Sequence, residues 1–113
     1  MRMWNIPPQM LCTKHLLGEH VEMHMFVGTI NKKKSIKEYL DNELVDTSHI
    51  RKRHYELVSE MKRREFNHQS PLPKFEIKKS GSIDIKKNIK ELARRCKECK
   101  KKINPSFFDS ARF

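Results

Sequence analysis

No stretch of this 113-residue chain approaches the roughly 18 consecutive apolar residues that a membrane-spanning helix needs. Met1 to Ile6 also lacks the apolar run of a secretion signal, so a cytoplasmic protein with no membrane partner is expected. Cysteine is scarce and odd in number: Cys12, Cys96 and Cys99 cannot all pair with one another, which argues against a disulfide framework. No turn signal sits between alternating apolar residues to mark a β-hairpin, and there is no internal repeat. Hydrophobic residues make up only 36% of the chain, which at this length leaves room for one domain with a core of two or three packed elements. A multidomain enzyme with a large substrate cleft is excluded, and function must sit on few side chains.

Acidic side chains are outnumbered, 14 against 25 basic ones, and the formal net charge of +11 exceeds what solubility requires. Such a surplus points to a polyanionic partner, and nucleic acid is the first candidate. Much of the surplus lies late in the chain, where Lys78 to Lys102 carries eleven basic and three acidic residues. The stretch around Arg51 to Arg64 adds Arg51, Lys52, Arg53, Lys62, Arg63 and Arg64, all read as phosphate contacts. Such contacts supply affinity and register rather than sequence readout, so by themselves they fit an enzyme and a passive binder equally well.

The periodicity is helical. After Pro7 and Pro8, apolar residues recur at helical spacing from Gln9 to Ile30, and Ser35 to Leu40 reads as a further short turn of helix. A second long helix is expected from a polar cap at Asp46 to Ser48 as far as Phe66, with Ile50, Leu57, Val58 and Met61 inward. Pro71 and Pro73 impose an irregular link, and Phe75 to Ile77 is too short to assign to strand or loop. A third helix from about Ser82 to just before Pro105 is expected to bury Ile85, Ile89, Leu92, Cys96 and Ile103. The expected fold is therefore all-α, a compact bundle of three main helices with irregular connections. It forms a single domain over 1–113, with 68–81 as the link and 104–113 as a tail.

Winding the first helix at about 100° per residue puts Glu19 inside the apolar stripe of Cys12, Leu16, Met23, Phe26 and Ile30. A buried carboxylate must be compensated, and an ion pair to an arginine is the expected solution. Glu22 lies on the edge of the stripe with His15, where a carboxylate is partly desolvated yet still reaches a ligand. His20 and His24, one turn apart, have a spacing that holds metals, but zinc needs further ligands. The Cys96 and Cys99 pair is the nearest source, and both of those cysteines read as packing. No metal and no cofactor are expected.

Three stretches together resemble the pyrimidine-dimer DNA glycosylases of the phage endonuclease V type. They are Met1-Arg2, Lys14-His-Leu-Leu-Gly-Glu-His-Val-Glu22, and Arg51-Lys-Arg-His-Tyr-Glu-Leu-Val-Ser-Glu-Met-Lys-Arg-Arg-Glu-Phe-Asn67. The resemblance implies an endonuclease V-like bundle that acts on double-stranded DNA carrying damaged or modified bases or abasic sites. It implies a monomer in a bacterial or phage-infected cell. It also implies that the free amine of Met1 attacks the sugar C1′ while Glu22 assists, with the bulky Arg2 blocking removal of Met1. Arg2 and His15 are then expected to seat the DNA backbone beside the lesion, and Trp4 and Tyr55 are candidate stacking groups, with Trp4 more often a core plug.

The chemistry is reasonable on general grounds. An α-amine titrates at about 8, so part of it is neutral near pH 7, and its attack at C1′ leads through an imine to strand breakage. Two features depart from the family pattern. Val21 and Met25 stand where family members carry arginines, and the tyrosine-rich tail is replaced by a shorter one with Phe107, Phe108 and Phe113. These departures leave the lesion open, and they make a non-catalytic basic nucleic-acid-binding protein, or a small protein that binds a repair factor, the alternatives.

Overall fold

A computed structural model describes residues 1–67, 70–77 and 81–103. The described residues are helical, without a strand: α1 Thr13–Asn31, α2 Lys37–Asp41, α3 Ile50–Arg63, α4 Ile85–Arg95 and α5 Lys97–Lys102. Short 3-10 turns at Pro8–Met10 and Thr47–His49 precede α1 and α3. The all-α bundle read from the sequence is thus the fold. Phe75 to Ile77 is irregular, and Phe107, Phe108 and Phe113 lie outside the described residues.

α1 packs along α3. The inward face of α1 carries Leu16, Glu19, His20, Met23, Phe26 and Val27, and that of α3 carries Ile50, Leu57, Val58 and Met61, as the periodicity predicts. Each large apolar side chain fully removed from water contributes about 1.5–3 kcal/mol. The two helices and the N-terminal segment, with Met3, Trp4, Ile6 and Leu11 all buried, therefore form the centre of the core.

Three boundaries differ from the sequence expectation. The first helix begins at Thr13, not Gln9, because the chain leaves the proline turn in extended conformation at Leu11 and Cys12 and turns both side chains inward. α3 stops at Arg63 rather than Phe66. The third helix is interrupted at Cys96, whose extended backbone (φ −136, ψ 112) separates α4 from α5 and lets α5 bring Cys99 and Ile103 into the core. Ile85 was expected inside and is 41% exposed; the buried residues of α4 are Asn88, Ile89 and Leu92.

Glycine is nearly absent, three in the whole chain, and the helix ends show the consequence. α1, α2 and α3 each close with a backbone bond spanning five residues: Lys34 N–H to Thr29, Leu44 N–H to Tyr39 and Phe66 N–H to Met61. This closure needs a left-handed residue, normally glycine. Here Lys33, Glu43 and Glu65 take that role, with φ of 59, 57 and 65.

Candidate functional site

The first six residues run across the bundle without regular structure, with Asn5 left-handed (φ 56), and are fastened at several points. Met3 N–H donates to the Leu44 carbonyl at 2.7 Å. From α4, the buried Asn88 donates its side-chain amide to the carbonyls of Met3 (3.2 Å) and Trp4 (2.8 Å), and its Oδ1 accepts from Arg2 Nη2 at 2.7 Å. From α3, Arg53 Nη1 donates to the Ile6 carbonyl at 2.7 Å. An amino-terminal segment held in this way is pre-organised, because its ordering entropy is already spent on folding.

This segment carries the terminus to Glu22. The Glu22 carboxylate accepts the backbone N–H of Arg2 and lies in the field of the positive Met1 amine and the Arg2 side chain. Burial outweighs these attractions and, with Glu19 adding repulsion, holds the Glu22 carboxyl above the ordinary glutamate value of 4.5.

Glu22 opens into a cleft of about 230 Å³ formed by Arg2, Trp4, Lys14, His15, Gly18, Glu19 and Arg95. Gly18 has open space where a side chain would begin, so that side of the cleft is low. Trp4 is only 4% exposed and acts as a plug. The Arg2 guanidinium lies 4.0 Å above its ring, and Arg95 reaches over the same ring at 5.9 Å. Burial, reinforced by the charge of Arg95, lowers the pKa of Arg2. An anion entering the cleft would relieve that crowding of positive charge. His15 stands edge-on to Trp4, and burial, with Lys14 and Arg95, holds it below the ordinary histidine range.

The basic residues expected to meet DNA divide into two groups. Arg51 and Lys52 are exposed on α3, Arg51 resting near the Phe75 ring. Arg63 is exposed but paired with Glu60. Arg53 is the clear correction: only 1% exposed, it grips Glu19 and cannot reach a phosphate. Arg64 is likewise turned inward, bonded to Glu60 at 2.7 Å and to the Leu11 carbonyl at 2.7 Å, where it ties the proline turn to α3. Tyr55 is 59% exposed on the same helix as Arg51. The site residues missed by sequence reasoning are Lys14 and Arg95. Lys14 directly precedes His15 on α1, and that adjacency is the signal in the sequence that points to it. Arg95 was hidden in a long basic run.

The two metal-type pairs do not come together as the sequence reading considered. His20 and His24 gather with His54 from α3, with ring centroids 4.9 to 5.1 Å apart. Cys96 and Cys99 meet Cys12 and His15 instead.

No curated protein and no solved structure matches the chain. The pyrimidine dimer DNA glycosylase family does match, over residues 1–74. That stretch holds the fastened amino terminus, α1 with Glu22, and α3 with the Arg53 that neutralises Glu19. With the family match spanning well over half of its length, the chain belongs to the pyrimidine dimer DNA glycosylase family.

Proposed function

We propose that the protein is a base-excision enzyme that removes a damaged base from double-stranded DNA and then nicks the strand, with the Met1 amine as nucleophile. The observation that carries the reading is the meeting of the amino terminus with a partly desolvated Glu22 at the edge of a cationic cleft. The neutral amine bonds to C1′ as the glycosidic bond breaks, and the base leaves with the bonding pair and takes up a proton. Opening of the C1′–O4′ bond gives an imine, which acidifies the C2′ proton. Removal of that proton expels the 3′ phosphate by β-elimination. Glu22 stabilises the positive charge that develops on the sugar and then relays protons during ring opening and elimination.

Arg2 binds the backbone phosphate beside the lesion, with Lys14 next to it and His15 lining the cleft. Arg51, Lys52 and Arg63 extend the contact along α3. Val21 and Met25 stand exposed at the positions where an arginine is missing, and Arg95 from α4 brings a cation to the same cleft from another direction. Pyrimidine dimers are the favoured lesion, because the matched family is named for them. Extrusion of the target costs a few kcal/mol and is cheapest at a lesion.

The test uses protein whose unblocked Met1 has been verified by mass spectrometry. It is incubated with dimer-containing, abasic and undamaged duplexes in the presence of borohydride. A covalent adduct should form on the first two and not on the third, and one added residue before Met1 should abolish it. Salt-sensitive binding without any adduct on any duplex would mean a passive DNA binder on the same scaffold.

A further inference from the structure

The three cysteines, too many by one for a disulfide scheme, converge with one histidine. Cys12 closes the extended segment before α1, and His15 lies on the first turn of that helix. Cys96 is the break between α4 and α5, and Cys99 sits on α5. In sequence they make Cys-x-x-His and Cys-x-x-Cys, with Cys12 and Cys96 84 positions apart. In space Cys12 Sγ is 3.2 Å from His15 Nδ1 and 3.8 Å from Cys96 Sγ, and Cys99 Sγ is 3.5 Å from His15 Nδ1. All four donor atoms lie within 4.8 Å of one another.

These are the edges of a coordination polyhedron. Zinc bonds to sulfur at about 2.3 Å and to imidazole nitrogen at about 2.0–2.1 Å, so a tetrahedral site has S···S edges of about 3.8 Å and S···N edges of about 3.6 Å. A disulfide would need sulfurs about 2.0 Å apart, far closer than Cys12 and Cys96. The sulfurs are also placed as hydrogen-bond acceptors: Cys12 N–H points at Cys99 Sγ (3.2 Å) and Cys99 N–H at Cys96 Sγ (3.4 Å). Donors aimed at ligand atoms are the usual support of a metal-bound thiolate.

We propose that Cys12, His15, Cys96 and Cys99 form a structural zinc site. Four protein ligands close the coordination sphere, so the metal has no open position and takes no part in base excision. Three thiolates and a neutral imidazole on Zn²⁺ leave the site with a charge of −1, among the side chains of a strongly basic chain. The site joins two parts of the molecule. Cys12 and His15 lie within the family-matched residues 1–74, whereas Cys96 and Cys99 lie beyond them, Cys96 directly after Arg95 at the end of α4 and Cys99 on α5. Binding holds those helices against α1 and keeps Arg95, the neighbour of Cys96, at the cleft. A 113-residue chain with 36% hydrophobic content has a small core, and a metal staple is a known way to complete one.

The experiment uses the full chain, purified under reducing conditions, with metal content measured by mass spectrometry. About one zinc per chain is expected, released when the thiols are blocked with a mercurial. Cobalt in its place should give the near-ultraviolet thiolate charge-transfer band and the intense visible bands of a tetrahedral site. Added zinc should raise the thermal midpoint in a concentration-dependent way. Cys99→Ser should lose the metal. Should that variant fail to fold, His15→Cys is decisive: it should keep zinc and strengthen the cobalt charge-transfer band. His24→Ala should retain zinc in full. A reduced chain that neither carries zinc nor takes up zinc or cobalt overturns the proposal, as does loss of zinc in His24→Ala.

Discussion

The Arg53 guanidinium holds the Glu19 carboxylate through two parallel hydrogen bonds, Nε to Oε2 at 2.6 Å and Nη2 to Oε1 at 2.9 Å, with both side chains out of reach of solvent. The third arm of the same guanidinium, Nη1, anchors the Ile6 carbonyl and with it the amino-terminal segment. One buried arginine thus neutralises the carboxylate next to the site and fixes the segment that carries the proposed nucleophile.

Removing that arginine leaves a buried charge without compensation. Arg53→Met should lower stability by about 3–5 kcal/mol, measured by urea unfolding, whereas Glu19→Met combined with Arg53→Met should recover much of the loss. A single substitution costing under about 1 kcal/mol would mean that the pair is more accessible to water than the geometry implies.

Glu22→Gln separates function from stability. Strand cleavage should fall by about a hundredfold to ten-thousandfold, the usual range for loss of a positioned acid–base group. Because burial raises the Glu22 pKa in the fold, its favourable contribution is present while it is protonated and is lost as pH rises through the raised value. Glutamine stays neutral, so the variant should match the parent protein at low pH and exceed it in thermal midpoint at neutral pH. For the same reason the acid limb of the parent's cleavage profile should lie above 4.5. A thermal midpoint lower than the parent's at pH 7 would contradict the direction of that shift.

Arg95→Ala addresses the cationic wall of the cleft. Loss of one phosphate contact should weaken binding to damaged and undamaged duplexes alike and reduce the slope of log affinity against log salt by about 1. An unchanged slope would place Arg95 outside the DNA contact and leave its role to Glu91, with which it pairs at 2.6 Å.

Two substitutions probe the backbone. Lys33 is exposed and left-handed at the end of α1, so Lys33→Gly should stabilise the protein by about 0.5–1 kcal/mol. Gly81 is the opposite case: a Cβ there would stand 2.2 Å from the Val45 carbonyl oxygen. Gly81→Ala should therefore cost about 1–3 kcal/mol, read from the same denaturation curves.

The parts of this structure that were legible beforehand rest on short-range rules. The stripes of α1 and α3 follow from the 3.6-residue period, and the pairing of Glu19 with an arginine follows from the cost of burying a lone carboxylate. Which arginine answers it was not legible. Arg53 lies 34 residues away in a run of similar cations, and its periodic position was outweighed by the expectation that a basic cluster faces DNA. The break at Cys96 was equally hidden, because the apolar spacing of Ile89, Leu92, Cys96 and Ile103 suits one continuous helix as well as two.

Order along the chain was enough to determine the helical class and the basic character of the chain, since each depends on composition or on neighbours within a few turns. Only the folded chain decided which cations are consumed in the core, that Arg95 joins the cleft, and that Cys12 and His15 meet Cys96 and Cys99. Those outcomes depend on how distant helices pack, and no local period encodes a contact between residues 84 positions apart.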